Sequence, residues 1–206
     1  MQAQVELFSA EHPDMGPEEA AFLELLQEQT EKMSQMTKTL LEMSELRSVP
    51  CNDRIELAPM VEEVLADLAP LVEARGIVLE RSGDARLIGS DTLIYRLVFN
   101  LVENAIRYSR PDTAVRVSAC EEGGRVVLRI ADGGPGIPEQ FKESIFQPFF
   151  RVDSSRSGEY GGVGLGLSLV WEIAALHGGT VEVEASSEDG TVMRVELPVG
   201  EAVATA

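Results

Sequence analysis

Residues 159–168 read EYGGVGLGLS, and the apolar stretch LSLVWEIAALHGG (167–179) continues from them. Four of the six residues from 161 to 166 are glycine. Glycine inside a helix costs about 1 kcal/mol relative to alanine, so a helix that opens on this run needs a reason. Three explanations are open at this point: a flexible loop, a tight turn, or a segment whose backbone must closely approach a ligand.

The composition sets the class of protein before any motif is considered. The chain has 206 residues, 44% of them hydrophobic, which is enough for one packed domain plus an appendage. Its 17 basic and 35 acidic residues give a net charge of −18, which disfavours nucleic acid and anionic membranes as partners. Cys51 and Cys120 lack metal-ligand spacing and are expected to be free thiols. Without a membrane-length apolar run or a signal-peptide pattern, we expect a cytoplasmic chain, or the cytoplasmic part of a membrane-bound sensor.

Residues 17–47 carry a heptad-like pattern that predicts one long helix. Pro17 followed by Glu18 and Glu19 is a typical helix start. One interpretation is an ordinary amphipathic core helix, and the other, which we favour, is a dimerising helix, because an isolated helix of this length needs a partner. The seam consists of Phe22, Leu26, Gln29, Met33, Met36, Leu40 and Met43.

The remainder of the chain alternates between helical and strand patterns. Segment 49–54 reads as a linker, and segment 138–162 reads as a long mobile loop of the kind that forms lids. Antiparallel strand pairs separated by helices predict an α+β fold: a two-layer α/β sandwich whose mixed sheet is covered by helices on one face. The predicted helices are 58–75, 91–108 and 163–177, and the predicted strands are 77–81, 113–119, 125–131, 180–185 and 191–197.

The helix predicted for 91–108 has one apolar and one polar face, with Asp91 expected as its cap. The apolar face holds Ile94, Val98, Leu101, Val102 and Ala105, and the polar face holds Arg96, Asn100, Glu103, Asn104 and Arg107. A solvated surface would account for the arginines, but asparagine is a poor helix former. Its amide oxygen is a hard ligand suited to Mg²⁺, and a carboxylate beside it can order a bound water or act as a base.

In RVVLRIADGGPGIP (125–138), alternate residues point to one side of a strand, and Asp132 ends that buried row. A buried carboxylate needs a donor, and a flat base with an amino group would supply one in the space left by the glycines. Taken alone, the segment is explained more simply by an aspartate that caps its own turn. Together with the amide-bearing helix before it and the glycine run after it, it describes a site for magnesium, a base and phosphates in chain order.

These segments resemble the cytoplasmic catalytic core of bacterial sensor histidine kinases, whose ATPase domain has the Bergerat fold shared with gyrase and MutL. NLVENAIRY (100–108) resembles the asparagine box, DGGPGI (132–137) the first glycine box, IFQPFFR (145–151) the phenylalanine box and GGVGLGL (161–167) the second glycine box. The resemblance implies a partial dimerisation hairpin in 1–48, the linker 49–54, an ATP-binding catalytic domain in 55–200 and a tail in 201–206.

The resemblance also implies roles and cofactors, namely ATP and Mg²⁺. Asn104 would bind Mg²⁺, Arg107 would reach a phosphate, Asp132 would accept the adenine amino group beside Tyr108, and Arg151 would lie in the lid. The glycine run would then wrap its backbone around the phosphates. The residues implied for catalysis are Glu103, Asn100 and Arg151, and those implied for nucleotide binding are Asn100, Asn104, Arg107, Tyr108, Asp132, Gly134, Gly136, Ile137, Gly162, Gly164, Leu165 and Gly166.

Several positions depart from the family pattern. Gly133 occupies a slot where asparagine is frequent, Val163 replaces threonine or serine, and Trp171 replaces a common lysine. The phosphoacceptor motif, a histidine followed by an acidic residue and a threonine–proline pair, does not occur in residues 1–206. His12 precedes Pro13 and is predicted to lie in a loop, and His177 is predicted to be structural.

The function implied by the resemblance is the ATP-binding portion of a two-component sensor histidine kinase. The intact kinase would pass the γ-phosphate of ATP to a histidine and then to a response regulator, and would dimerise through the hairpin. Because the phosphoacceptor motif is missing, we expect this chain to bind ATP without phosphorylating itself. Two alternatives remain open: an ATP-binding regulatory module without kinase activity, and an anti-sigma-type protein-serine kinase.

Overall fold

The computed structural model describes residues 46–152 and 164–200 without a break. Of the residues before these, it describes 16, 21–23, 25–27, 29, 30, 33, 34, 37 and 41. The chain divides into two compact units, Met1–Ser44 and Glu45–Ala206.

In the first unit, the described residues from 21 to 41 are all α-helical, in agreement with the helix predicted for 17–47. The hydroxyls of Thr30 and Thr37 donate to the carbonyls of Leu26 and Met33, at 2.8 and 3.0 Å. Each bond spans one helical turn. Most of the large apolar side chains described in this unit are exposed within the chain, and Leu23 is half-buried. The exposed ones are Phe22, Leu25, Leu26, Met33 and Leu41.

The second unit holds the helices and strands of the described core. Four helices and seven strands are found within 46–152 and 164–200, with 3₁₀ turns at Leu46–Ser48, Glu139–Phe141 and Ser144–Phe146. The helices are α1 (Leu57–Asp67), α2 (Ala69–Arg75), α3 (Asp91–Tyr108) and α4 (Gly166–Leu176). The strands are β1 (Asp53–Glu56), β2 (Val78–Gly83), β3 (Arg86–Gly89), β4 (Ala114–Glu122), β5 (Arg125–Asp132), β6 (Thr180–Ser187) and β7 (Gly190–Pro198).

Five of the strands form a mixed sheet in the order β2-β4-β5-β7-β6. Strand β2 runs parallel to β4, and every other neighbouring pair is antiparallel. The remaining two strands, β1 and β3, form a separate antiparallel ribbon. The parallel pair is possible because α3 provides the crossover between β2 and β4, together with β3.

The helices cover one face of this sheet, as predicted. Helix α1 contacts β2 and β4, α3 contacts β4 and β5, and α4 contacts β6 and β7. One row of the core runs across the sheet through Ala119, Leu128, Val195 and Val181, which are paired in register. The opposite face carries ion pairs, such as Arg129 with Glu122 and Glu184, so it remains solvated. The second unit therefore has the two layers expected of an α+β sandwich.

Some element boundaries differ from the predicted ones for local reasons. The helix predicted over 58–75 is two helices, because the chain breaks at Leu68, just before Pro70. Helix α4 begins at Gly166 rather than at residue 163. Ser90 caps α3, with its hydroxyl accepting from the Leu93 amide at 3.5 Å, whereas Asp91 is the first helical residue. The β1–β3 ribbon was missed, and β1 starts at Asp53, inside the segment predicted as linker.

Candidate functional site

Helix α3 presents a polar face along its length, as its sequence predicted. The five polar-face residues named above are half-buried, whereas the five apolar ones are buried in the core. Asn100 donates through Nδ2 to the carbonyl of Arg96 at 2.7 Å, which leaves its Oδ1 as the acceptor facing outward. Glu103 and Arg107 form an ion pair one turn apart, with Nη2 and Oε1 at 2.8 Å.

The first turn of α4 lies directly against this polar face. A Cβ atom built on Gly166 would be 3.0 Å from Asn100 Oδ1 and 3.8 Å from Asn104 Nδ2, so a side chain there would press on the Asn100 amide and only touch that of Asn104. No side chain caps this end of α4, and the Ser168 hydroxyl donates back to the carbonyl of Leu165 at 2.9 Å. The first amides of the helix, with the positive end of its dipole, therefore point into the space beside Asn100 and Asn104.

Asp132 ends strand β5 at the other end of α3. Its Oδ1 accepts from the amide of Gly134 at 2.8 Å and from the amide of Thr191 at 3.2 Å. Burial raises the pKa of this carboxyl group, and the two amide hydrogen bonds act in the opposite direction. Among the described residues its hydrogen bonds all involve Oδ1, so Oδ2 is the atom left to receive a donor from a ligand.

The backbone that follows Asp132 is fixed by its neighbours on both sides. A Cβ atom on Gly134 would stand 2.8 Å from the carbonyl oxygen of Tyr108. Gly136 has φ +77° and would bring a Cβ atom within 2.0 Å of the carbonyl oxygen of Ser187. The Ile137 amide donates to Ser186 Oγ at 2.7 Å, and that hydroxyl lies 3.2 Å from Thr191 Oγ1. The first glycine segment is thus wedged between α3 and the β6–β7 hairpin.

The phenylalanine segment packs against Gly164 of the glycine run. The Phe149 amide donates to the carbonyl of Gly164 at 2.9 Å, and the rings of Phe141 and Phe150 are 5.6 Å apart. Gly164 has φ +77°, and a Cβ atom there would lie 2.9 Å from the carbonyl oxygen of Phe150. This contact requires glycine at 164 and fixes the chain just before α4.

Most of the predicted site residues are brought together by the structure. Asn100 and Asn104 meet Gly166, while Asp132 and Tyr108 meet Gly134. The side chain of Leu165 is buried, so only its backbone can face a ligand. Arg151 is half-buried, and no contact described above places it beside these groups. Gly162 lies outside the described residues, as do 153–161 of the predicted lid and Val163, the predicted start of the following helix.

Sequence patterns missed three hydrogen-bonding side chains around the site, namely Thr191, Ser186 and Ser109. Thr191 lies opposite Asp132 in the β5–β7 register, which no local pattern could reveal. Ser109 accepts from the Gly133 amide at 3.3 Å. His177, predicted to be structural, accepts from the Ser90 amide through Nε2 at 3.0 Å and has Nδ1 2.8 Å from the carbonyl of Ile173.

The donor set of this site suits a nucleotide better than a metal held by the protein alone. Across the described part of the chain, no group of three or more histidine, cysteine, aspartate or glutamate side chains could hold a metal ion. Neutral amides, an uncapped helix start and one buried carboxylate instead match phosphates and a base.

Comparison with known proteins decides the family. A family model described as histidine kinase-, DNA gyrase B- and HSP90-like ATPase matches residues 89–201. The chain belongs to this family. Its ATPase domain contains the asparagine-bearing helix α3, both glycine segments and helix α4. ATP is therefore the ligand class of this fold.

Relatives and solved structures place the ATPase domain among sensor histidine kinases. The chain is 30% identical to the sensor-like histidine kinase SenX3 of Mycolicibacterium smegmatis over 201 residues, which cover 95% of the chain and 52% of SenX3. The structure of the mycobacterial sensor histidine kinase MprB superposes with a TM-score of 0.62 at 28% identity, covering 71% of this chain and 97% of that one.

A third structure, the histidine kinase ThkA in complex with the response regulator TrrA, shares the fold. Its TM-score is 0.72 at 23% identity, over 97% of this chain and 57% of ThkA.

The chain spans about half the length of its relative SenX3. In the described residues, no helix is both long and apolar enough to cross a membrane.

Proposed function

We propose that this chain is the ATP-binding catalytic portion of a two-component sensor histidine kinase. The observation that carries the proposal is that α3 presents two chemically different groups of side chains, one suited to phosphates and the other to a base. Asn100 and Asn104 face the uncapped start of α4, and Tyr108 lies beside Gly134 and Asp132. Eight residues of helix at 1.5 Å each separate Asn100 from Tyr108 by about 12 Å, so the phosphates would lie near the middle of α3 and the base at its carboxyl-terminal end.

The base would be recognised by Asp132. Its Oδ1 is already held by two backbone amides, which fixes the carboxylate plane and leaves Oδ2 to accept from the exocyclic amino group of adenine. Gly134 keeps the floor of this pocket open, because any side chain there would collide with Tyr108. Tyr108 is partly exposed and would cover the base from the side of α3.

The phosphates would lie at the start of α4. Backbone amides of Gly164, Leu165 and Gly166 would bind phosphate oxygens there, aided by the helix dipole. The side chain best placed to hold Mg²⁺ is Asn104, since its amide has no hydrogen bond within the described residues and its neighbour Gly166 leaves room. Bound Mg²⁺ would neutralise charge on the phosphates.

Arg107 would bind a phosphate, and Glu103 would act on a water molecule bound to the metal. The two side chains pair with each other in the structure. A phosphate oxygen beside Arg107 would compete for its guanidinium, and Glu103 would then be available to orient a metal-bound water or to accept a proton. Asn100, with Oδ1 directed at the helix start, would complete the polar wall, and Arg151 would close over it from the lid.

The transfer step itself would take place on the intact kinase. The bond between the β–γ bridging oxygen and the γ-phosphorus would break as a phosphorus–nitrogen bond to an imidazole forms, which releases ADP. Such transfer depends on positioning and on charge stabilisation, which α3 and the start of α4 are arranged to supply. The phosphoryl group would then pass to a response regulator, and the binding of TrrA by ThkA supports this class of partner.

The amino-terminal unit would mediate dimerisation of the intact protein. Phe22, Leu26 and Met33 of the predicted seam are exposed on the single chain and lie at heptad-like spacing. A second copy of the same helix would remove these side chains from water.

Two measurements on the whole 206-residue chain test the proposal. Calorimetric titration with a non-hydrolysable ATP analogue should show binding that strengthens with Mg²⁺, and tripolyphosphate should bind more weakly. Equal affinity for the two ligands would mean that no base is recognised.

In the second measurement, labelled γ-phosphate should pass to a separately produced helical hairpin that bears a histidine–acid–threonine–proline motif. Acid-labile label on that hairpin supports histidine kinase activity. Acid-stable label on a serine of a partner would instead favour a protein-serine kinase. Binding without any transfer would favour a regulatory module.

A further inference from the structure

Arg75, the last residue of α2, reaches the carboxyl-terminal end of α3. Its Nη2 atom donates to the carbonyl oxygens of Arg107 at 2.9 Å and of Ser109 at 3.0 Å. The last carbonyls of a helix have no partner within the helix, and they carry the negative end of its dipole. One guanidinium therefore binds both sides of Tyr108, at the end of α3 where the base is expected.

The position of Arg75 is fixed by the turn that follows it. Gly76 ends α2 in the left-handed conformation, with φ +62°, and its carbonyl accepts from the Asp112 amide at 3.1 Å. The turn between α2 and β2 is thus bonded to the α3–β4 loop at two places, through the side chain of Arg75 and through the backbone of Gly76. A displacement of the α2–β2 turn would therefore also displace the α3–β4 loop.

The α3–β4 loop is bonded in turn to the first glycine segment. The Gly133 amide donates to Ser109 Oγ at 3.3 Å, and the Arg110 amide donates to the Gly133 carbonyl at 3.3 Å. Gly133 follows Asp132 directly, and the Tyr108 carbonyl oxygen is 2.8 Å from where a Cβ atom of Gly134 would stand. An unbroken path of hydrogen bonds leads from Arg75 through Ser109 to the residue beside the base-binding carboxylate.

We propose that Arg75 is a positioning residue for recognition of the nucleotide base. It does not touch the ligand. It holds residues 107–109 against Gly133, and so sets the distance between Tyr108 and Asp132, the two walls of the base pocket. This inference rests on the proposed function, because it requires the base to lie at Asp132.

The first test compares ligands with and without a base on variants of the full chain. Arg75→Ala should weaken ATP binding about tenfold, the low end of what the displaced base contact at Asp132 contributes, whereas binding of tripolyphosphate should change by less than about twofold. Arg75→Lys keeps the charge but loses the planar fork that spans two carbonyls, so its loss should fall between these values.

Arg81 supplies a matched control within the same unit. Its guanidinium also donates to a backbone carbonyl, that of Gly83 at 3.1 Å, and pairs with Glu62 at 2.7 Å. Arg81→Ala removes an arginine of similar bonding, and it should leave the ratio of ATP to tripolyphosphate affinity unchanged even if it lowers the melting temperature. A merely structural role for Arg75 would produce the same result as Arg81→Ala.

Amide hydrogen exchange gives a readout that does not require nucleotide. In Arg75→Lys and Arg75→Ala the amides of Gly133 and Arg110 should exchange faster than in the wild type, while the amide of Leu128 in the central strand should not. If Arg75→Ala does not fold, Arg75→Lys decides the question. An unchanged ligand ratio in Arg75→Lys, with unchanged exchange at Gly133, overturns the inference, whereas a wild-type chain without preference for ATP over tripolyphosphate would overturn the proposed function instead.

Discussion

The substitution Asp132→Asn offers the sharpest test of base recognition because it alters one atom of the pocket. The asparagine oxygen can take the place of Oδ1 and retain the amide hydrogen bonds from Gly134 and Thr191, at 2.8 and 3.2 Å in the wild type. The asparagine NH₂ group then replaces Oδ2. The pocket keeps its shape and its two backbone anchors, and only the character of the outward-facing atom changes from acceptor to donor.

The expected magnitude follows from that change. A hydrogen bond to a charged group contributes about 1.5–3 kcal/mol, so ATP affinity should fall by about 10- to 150-fold. The adenine amino group would meet another amino group, and neither could accept from the other. Inosine triphosphate has a carbonyl at that position of the ring, so the asparagine amide could donate to it. The variant should therefore bind inosine triphosphate at least as well as ATP, whereas the wild type should prefer ATP.

Calorimetric titration of both proteins with ATP, inosine triphosphate and tripolyphosphate measures the effect. Tripolyphosphate serves as the internal control, because it lacks a base and should bind the two proteins equally. A parallel loss for all three ligands would show that Asp132 supports the fold rather than reading the base. An unchanged preference for ATP in the variant would place the base elsewhere.

Four further outcomes are expected. Asn104→Ala should remove the Mg²⁺-dependent part of ATP binding, measured by titration with and without Mg²⁺. If ATP binding by the variant still depends on Mg²⁺, another residue binds the metal. The raised pKa of the Asp132 carboxyl means that the native state keeps a proton that the unfolded chain has already lost. The free energy of unfolding of the wild type, relative to that of Asp132→Asn, should therefore fall as pH rises from the ordinary aspartate value of 3.8 through the native pKa. Urea unfolding of both proteins across that range measures the effect, and a difference independent of pH would contradict it. Addition of ATP should slow amide exchange at Gly166, Leu167 and Ser168, whose amides open α4 without a side-chain cap, and an unaltered rate there would exclude phosphate at this helix start. Incubation of the chain with γ-labelled ATP should leave no acid-labile label on His177, because backbone groups occupy both of its ring nitrogens and the 11 residues of α4 hold it about 16 Å from Gly166. Acid-labile label that is lost in His177→Gln would refute that reasoning.

The sequence predicted the parts of this molecule that depend on local patterns. Helix α3 has the predicted bounds, because its apolar residues recur with helical period and its end is marked by Ser109 and Pro111. Both hairpins of the sheet were predicted from alternating apolar residues around glycine-containing turns. The closeness of Asn100, Asn104 and Gly166 agrees with the arrangement that the motifs implied, although their individual roles stay predictions until they are measured.

What the sequence did not reveal depends on pairings between distant segments. The β1–β3 ribbon joins two four-residue strands, too short to show a period. Thr191 reaches Asp132 because β5 and β7 are neighbours in a particular register, and that register is set by the whole sheet. The break at Leu68 was missed because the apolar period continues across it into α2. For the ribbon and for Thr191 the deciding contact spans tens of residues, beyond the range of local propensity, whereas the break at Leu68 has a local cause in Pro70.

Helix α3 shows why such unpredicted residues matter for the site. At its start, His177 accepts from the Ser90 amide and Asp53 accepts from the Asp91 amide at 3.1 Å, and at its end Arg75 binds two carbonyls. These three side chains come from the residue that follows α4, from β1 and from α2, and none of them lies within the asparagine-bearing motif. The motif supplies amides and a carboxylate, but a helix free to slide by one residue would move Asn104 about 1.5 Å along its axis relative to Gly166. Contacts at both ends oppose that movement, so the placement of the side chains proposed to bind the nucleotide depends on residues that carry none of the proposed chemistry themselves.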